Sequence, residues 1–348
     1  MADSDMNETK LDINKSAKDI LATIERERER EIIARRFGLY DRKETLEQIG
    51  ELLGITRERV RQLEKAVLGK LKQAAHELPN MGHIESVLID HLEKLGRVAP
   101  VKTLTQSIID SPKREDNSHV AFLSELAPNL NVLHENDDFY HSVAIGKYHK
   151  INDLKDSISK LVKDIKQHGK PVNAVELHKF ASQYEKPENA TAVASASKHL
   201  TSLKGQWGHI KWPLVNPKNI RDKIYVILQE NGKPMHFNKI ANSIKDSSFK
   251  RRDVTTQAIH NELIKDKRFV LIGRGIYALE EWGYAKGTVA DIIANVLTAS
   301  KEPLHRDEIV KRVLKERHVK ETTILLNLQS KPQFVRTAKA TYTYDSSK

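Results

Sequence analysis

Apolar residues recur at helical spacing through most of the chain, and the breaks in that spacing set out its organisation. The clearest stretch is 44–72. Leu46, Ile49 and Leu53 share one face of a short helix, and Gly54 follows, the residue that most easily takes the left-handed conformation that ends a helix. Thr56 stands where an N-cap belongs. A second helix then sets Val60, Leu63, Val67 and Leu71 on its apolar face and Arg57, Glu58, Arg61 and Gln62 at the start of its polar face. Two helices joined by a tight turn, with base-reading side chains in the first turns of the second, form a helix-turn-helix pattern. Upstream, Leu11 to Leu21 predicts an amphipathic helix that runs into the charge-alternating stretch 25–31, a solvated face. Residues 1–10 are polar and expected to be disordered. The expected organisation is therefore a flexible or helical extension over 1–24 and a helix-turn-helix domain over 25–78, with Pro79 ending the helical run.

Beyond Pro79 one pattern returns four times. Each copy opens with an amphipathic helix, marked by Ile84, Leu88, Leu92 and Leu95, then by Leu154, Ile158, Leu161 and Ile165, then by Ile220, Ile224 and Ile227, and last by Val289, Ile293 and Val296. Each helix meets a breaker, at Gly96, Gly169, Gly232-Lys233-Pro234 and Ser300 to Pro303, and a second helix starts near Lys102, Asn173, His236 and His305. A third helix and an extended pair follow. The pair is clearest over 268–279, two β-prone runs around Gly273-Arg274-Gly275, and is echoed at Phe334 to Tyr344, at Trp207 to Trp212, and at Val132-Leu133 with Phe139-Tyr140. Three helices and a β-hairpin are the winged-helix plan, and the breakers recur at roughly 60–75 residues, the length of one such module. The expected fold is mainly α, a helix-turn-helix followed by tandem winged-helix modules with small β-hairpin wings, spanning 82–149, 151–216, 218–284 and 287–348.

Composition narrows the partners. Lys and Arg number 58 against 47 Asp and Glu, a formal charge of +11, which favours a polyanion, nucleic acid before a membrane surface. Aromatics make up only 6%, which suits small helical modules better than one large α/β core. There is no cysteine, so no disulfide framework and no cysteine metal site, and the 15 histidines are scattered rather than clustered. No apolar run reaches the ~20 residues that a membrane span needs, and the acidic, polar start is unlike a signal peptide. The expected location is the cytoplasm.

Thr56-Arg-Glu-Arg-Val-Arg-Gln-Leu-Glu64 resembles the recognition helix of region 4 in the primary bacterial sigma factors. Residues 28–39 resemble the first helix of that region, and Thr45 to Gly50 the helix between them. The resemblance covers about residues 25–74. It implies that Arg57, Glu58, Arg61 and Gln62 read bases of a promoter −35 element, and that Thr45, Thr56 and Arg59 meet phosphates. The chemistry fits: an Arg fork bonds guanine O6 and N7 together, Gln does the same for adenine, and Glu accepts from cytosine N4. Two departures stand out. Lys65-Ala66 reverse the family's usual order, and Gly69 replaces a basic residue near the position where activators dock in the family. Region 4 in the family also packs on the polymerase flap through an apolar surface, for which Ile32, Ile33 and Leu39 are candidates, although such residues are more often plain core. No counterpart of the promoter-melting region 2 or of region 3 is found, so the expectation is reading without melting.

The copy over 218–284 is similar to a HARE-type helix-turn-helix, the module found in the delta subunit of bacterial RNA polymerase. Lys250, Arg251 and Arg252 before its third helix, and Arg274 at its wing with Lys267 and Arg268 beside it, are candidate phosphate contacts. The acidic turn Glu135 to Asp138 argues against DNA contact by the first wing. His236 and His305 recur at equivalent helix starts, which points to capping or packing rather than catalysis. There is no P-loop, no Gly-x-Ser-x-Gly and no nuclease carboxylate pair, so no enzyme, cofactor, catalytic residue, metal or small-molecule substrate is expected. The expected function is sequence-specific transcription regulation, or association with RNA polymerase, with double-stranded DNA and RNA polymerase core as partners. Two other classes fit the same features: a protein–protein adaptor on RNA polymerase, and the DNA-specificity subunit of a modification or defence system.

Overall fold

The hydrophobic spacing becomes sixteen α-helices and eleven short strands among the described residues of the computed structural model, which are 11–249, 253–300 and 302–347. The architecture is mainly α with small antiparallel sheets. The chain forms two compact units, Met1–Lys211 and Trp212–Lys348.

In the first unit α1 (Ile13–Ala22) starts at Asp12, whose side chain accepts from the Lys15 N–H, and it buries Ile13, Ala17, Ile20 and Leu21. It does not continue into the charged stretch as expected. The Thr23 N–H closes the helix onto Ile20, and the Arg30 guanidinium caps the Ile24 carbonyl at 2.8 Å, so α2 (Glu27–Phe37) is a separate helix. Nor is 11–24 a loose extension, because α1 packs into the core and Asn14 donates to Asp116, 102 residues away, at 3.1 Å. Residues 1–10 lie outside the described residues. The helices α3 (Leu46–Leu53) and α4 (Arg57–Gln73) follow; α4 stops six residues before Pro79, with one 3-10 turn at Ala75–Glu77 between them.

Next come α5 (Met81–Lys94), β1 (Val98–Pro100), α6 (Val101–Ile108), α7 (Arg114–Leu126), β2 (Leu130–Leu133) and β3 (Ser142–Ile145), with strand order β1-β3-β2. The returning strand is Ser142–Ile145 rather than Phe139-Tyr140; Phe139 bridges to Ser197 instead. One apolar core joins α1, α2 and α4 to this segment through Ile20, Ile33, Phe37, Val67, Leu88 and Phe122. Phe37 meets the Phe122 ring edge-on, with centroids 5.2 Å apart. A smaller core of Ile32, Ile49 and Val60, flanked by Leu46, Leu53 and Leu63, holds α2, α3 and α4 together.

The unit ends with α8 (Ile151–His168), α9 (Ala174–Phe180), α10 (Pro187–Ser195), β4 (Leu200–Leu203) and β5 (Gln206–His209). Trp207 lies in β5, but the hairpin spans 200–209 and Trp212 is outside it. A single bridge from Val172 to Trp207 stands where the other sheets have a third strand. The acidic turn of the preceding hairpin docks here: Glu135 pairs with Lys198 at 2.7 Å and Asp138 with His199 at 2.8 Å. Gly96, after α5, lies close against α10. Its φ is +93°, and a Cβ would lie 2.6 Å from the Glu188 carbonyl oxygen.

The second unit repeats one order twice. The elements α11 (Ile220–Asn231), β6 (Met235–His236), α12 (Phe237–Lys245), α13 (Thr256–Lys265), β7 (Phe269–Gly273) and β8 (Ile276–Leu279) form strand order β6-β8-β7. The elements α14 (Val289–Ser300), β9 (Leu304–His305), α15 (Arg306–Glu316), α16 (Glu321–Ser330), β10 (Phe334–Ala338) and β11 (Thr341–Tyr344) form β9-β11-β10. The His318 N–H donates to the Ile272 carbonyl at 3.0 Å and joins the two segments. The expected opening-helix residues are buried in all four copies, except Leu95, Ile220 and Val289 at the helix ends, which are half-buried.

Candidate nucleic-acid interface

The helix-turn-helix is built by three local devices. Thr45 caps α3 reciprocally: its hydroxyl accepts from the Gln48 N–H at 3.2 Å while its own N–H donates to Gln48 Oε1 at 2.9 Å. Gly54 ends α3 at φ +64°, and the Ile55 N–H donates back to the Gly50 carbonyl at 2.9 Å. Thr56 opens α4 by accepting from the Arg59 N–H at 3.2 Å. Gly50 was not singled out from the sequence. It is buried, and a Cβ there would lie 2.6 Å from the Ile55 carbonyl oxygen, so the turn approaches α3 as closely as only glycine allows.

Arg57, Glu58, Arg61 and Gln62 all come out exposed, on the first two turns of α4. They hold one another. The Arg61 guanidinium grips Glu58 with two prongs, Nη2 to Oε1 at 2.7 Å and Nε to Oε2 at 2.9 Å. Gln62 Nε2 reaches Glu58 Oε1 at 3.5 Å, and Gln62 Oε1 accepts from Arg59 at 3.3 Å. Arg57 lies 3.8 Å from Glu47 and stays 74% exposed. The Arg61 hydrogen bond holds the Glu58 carboxyl below its usual range. Any base met by Arg61 therefore competes with Glu58 for the fork, and a cytosine amino group must find a carboxylate already engaged. Thr45 and Thr56 use their hydroxyl oxygens as caps, which leaves each one O–H to donate to a phosphate.

Ile32, Ile33 and Leu39, the candidates for an apolar docking surface, are buried in the two cores, so that surface is not available in this fold. The exposed large apolar side chains here are Tyr40 and Leu52, at 62% and 55%. In the second unit Lys250, Arg251 and Arg252 lie outside the described residues. Arg274 is exposed at the hairpin turn beside Gly275, whose φ is +70°. Arg268 is committed elsewhere: its guanidinium pairs with Asp266 at 2.8 Å and Asp222 at 3.3 Å, and so does not serve the wing. His236 and His305 are N-caps, accepting from the Asn238 and Asp307 N–H groups. Among the described residues no group of three His, Asp or Glu side chains is placed to hold a metal ion, and no helix is long and apolar enough to cross a membrane.

The family described as sigma-70, region 4, matches residues 26–73, the stretch from the end of the α1–α2 break to the last turn of α4. Residues 26–73 form a sigma-70 region 4 domain. Over 63 residues, 18% of this chain, the chain is 41% identical to RNA polymerase sigma factor sigB of Arabidopsis thaliana, and over 61 residues, 17% of this chain, it is 44% identical to RNA polymerase sigma factor SigA of a Bacillus species. These matches span 10% and 16% of the two relatives' lengths. The self-paired cluster of Arg57, Glu58, Arg61 and Gln62 thus lies on the polar face of the region 4 domain, and the cores that bury Ile32 and Ile33 are its scaffold.

Proposed function

We propose that this chain is a sequence-specific DNA-binding regulator of transcription, or an RNA polymerase-associated factor, whose region 4 domain reads a promoter −35-like element in the major groove. The observation that carries the reading is the exposed set Arg57, Glu58, Arg61 and Gln62 at the start of α4, on a capped and closely packed scaffold within the region 4 match. The chain reads DNA without melting it and is not an enzyme. The segments after α4 are winged-helix modules, since three of them share the order helix, short strand, helix, helix, hairpin, with the returning strand central in the sheet. The one over 218–284 is of HARE type. Arg274, Thr45, Thr56 and Arg59 meet phosphates, and the chain works in the cytoplasm at the nucleoid. The two relatives are named as RNA polymerase sigma factors, which supports polymerase core as a partner.

Arg61→Ala tests this. It is expected to cost about 1–3 kcal/mol on the preferred duplex and to relax base preference at one position. Equal loss on all duplexes would reduce Arg61 to a phosphate contact.

A further inference from the structure

The polar face of α4 does not stop at Gln62. Arg61, Lys65 and Lys72 continue it along the helix and form one wall of a cleft of about 560 Å3, whose other wall is built by Lys43 and by Glu125 and His141 of the segment that follows the region 4 domain. At 1.5 Å per residue, Lys65 lies about 6 Å and Lys72 about 16 Å beyond Arg61 along the axis. Five Lys and Arg side chains line the cleft against two carboxylates, and both carboxylates are paired: Glu64 with Arg36 at 3.1 Å, and Glu125 through Oε1 with Lys72 at 2.6 Å, its buried Oε2 having no hydrogen-bond partner among the described residues. Among the described residues Lys43 and Lys65 have no ion-pair partner. A second hollow of about 270 Å3 shares Lys43 and His141 with the first and adds Lys102 at the start of α6, without an ion-pair partner among the described residues, and one carboxylate, Glu135, which Lys198 holds at 2.7 Å. His141 is pushed down to about 4, by burial first and then by Lys43 and His134, and the Lys43 ammonium is lowered by burial and by Arg36, against the opposing pull of Glu135.

We propose that this cleft is a second DNA contact, in which Lys43, Lys65 and Lys102 take the sugar-phosphate backbone that flanks the bases read by α4, so that the footprint extends past the region 4 domain onto α6 and the first hairpin. The proposal rests on the region 4 domain reading DNA. The cleft suits a polyanion better than a small solute, because its cations stand along an open wall continuous with the reading face, with Arg61 54% and Lys72 48% exposed. The acidic turn at 135–138 stays exposed beside this hollow, with Glu135 paired to Lys198 at 2.7 Å and Asp138 to His199 at 2.8 Å.

The test is the salt dependence of duplex binding by the full chain and by the Lys43→Ala/Lys65→Ala/Lys102→Ala variant. Lys65 and Lys102 are exposed, Lys43 is solvent-accessible but partly enclosed by the cleft, and circular dichroism checks that the fold is kept. Each lysine that meets a phosphate contributes about 0.9 to the log–log slope, so the variant should lose up to ~2.7 of slope while selecting the same base sequence. An unchanged slope overturns the proposal. So does loss of inorganic phosphate binding in the variant with the slope unaltered, which would assign the cleft to a small anion. If the unaltered chain shows no salt-sensitive binding, or if Arg57→Ala/Arg61→Ala selects the same sequences as the unaltered chain, it is the promoter reading that fails, and that result is distinct from a change confined to the lysine variant.

Discussion

Two glycines in the region 4 domain should respond to the same substitution with opposite signs. In a helix interior Gly→Ala is worth about 0.5–1 kcal/mol of stability, through lost chain freedom in the unfolded state. Gly69 lies on the exposed side of α4, and nothing stands within 4 Å of an added Cβ, so Gly69→Ala should deliver that gain. Gly50 lies in α3 with Ile55 O 2.6 Å and Arg57 N 3.4 Å from an added Cβ. Both neighbours are backbone, so relief requires the turn to open. That opening strains the Ile55-to-Gly50 hydrogen bond, now 2.9 Å, and the Thr56 cap. Overpacking of this kind costs about 1–3 kcal/mol, and after the propensity gain the net loss for Gly50→Ala is about 1–2 kcal/mol. Hydrogen exchange of the α3 and α4 amides in the full chain reads this local stability directly. Duplex affinity should fall for Gly50→Ala and hold for Gly69→Ala. If both variants protect the α3–α4 amides equally, the close approach at Gly50 is not what shapes the turn.

Other outcomes follow from the same geometry. Glu58→Ala releases the Arg61 fork, so affinity for random duplex should rise while discrimination at one base pair falls; weaker binding to every duplex would mean that Glu58 only steadies the helix. Phe122→Ala removes a fully buried ring that joins α7 to Phe37, and should destabilise the first unit by about 3–5 kcal/mol in denaturant unfolding; a loss under ~1 kcal/mol would contradict a shared core. His119, His141 and His149 are all held below their ordinary 6.5 with burial as the first cause, His141 at about 4. The folded chain therefore binds fewer protons than the unfolded one between about pH 4 and 6.5, and stability present above 6.5 is lost as the pH falls. Urea midpoints at pH 7 and pH 5 should differ in that direction; equal midpoints would show that these histidines titrate freely in the fold.

What could be read from spacing was local. Thr56, Gly54 and the run Val60, Val67, Leu71 each act within one or two turns, and each is found in its expected role. The same holds for the helix starts at Asn173, His236 and His305, each of which is an N-cap, and for the buried face of α8. What escaped depends on residues far apart in sequence. The charged stretch after Leu21 looked continuous with α1, and only the Arg30 side chain on Ile24 and the burial of α1 against α7 show two helices. Phe139-Tyr140 looked like a strand by residue type, but its partner is Ser197, while Ser142–Ile145, a run with Val143 and Ile145, completes the sheet. The acidic turn beside it looked like a surface that repels DNA. Its partners, Lys198 and His199, lie some sixty residues away and tie the turn, which stays exposed, to the segment that follows. Ile33 and Leu39 were expected in a core more often than on a docking surface, and the core that takes them includes Phe122, far away in sequence.

The central claim is that α4 reads bases. The most direct measurement is selection of bound sequences from random duplex DNA by the full chain and by Arg57→Ala/Arg61→Ala. The account predicts a −35-like motif from the full chain that disappears with the variant while salt-sensitive binding persists. Salt-sensitive binding that enriches no motif in either case would contradict it and leave the helix-turn-helix as a backbone clamp.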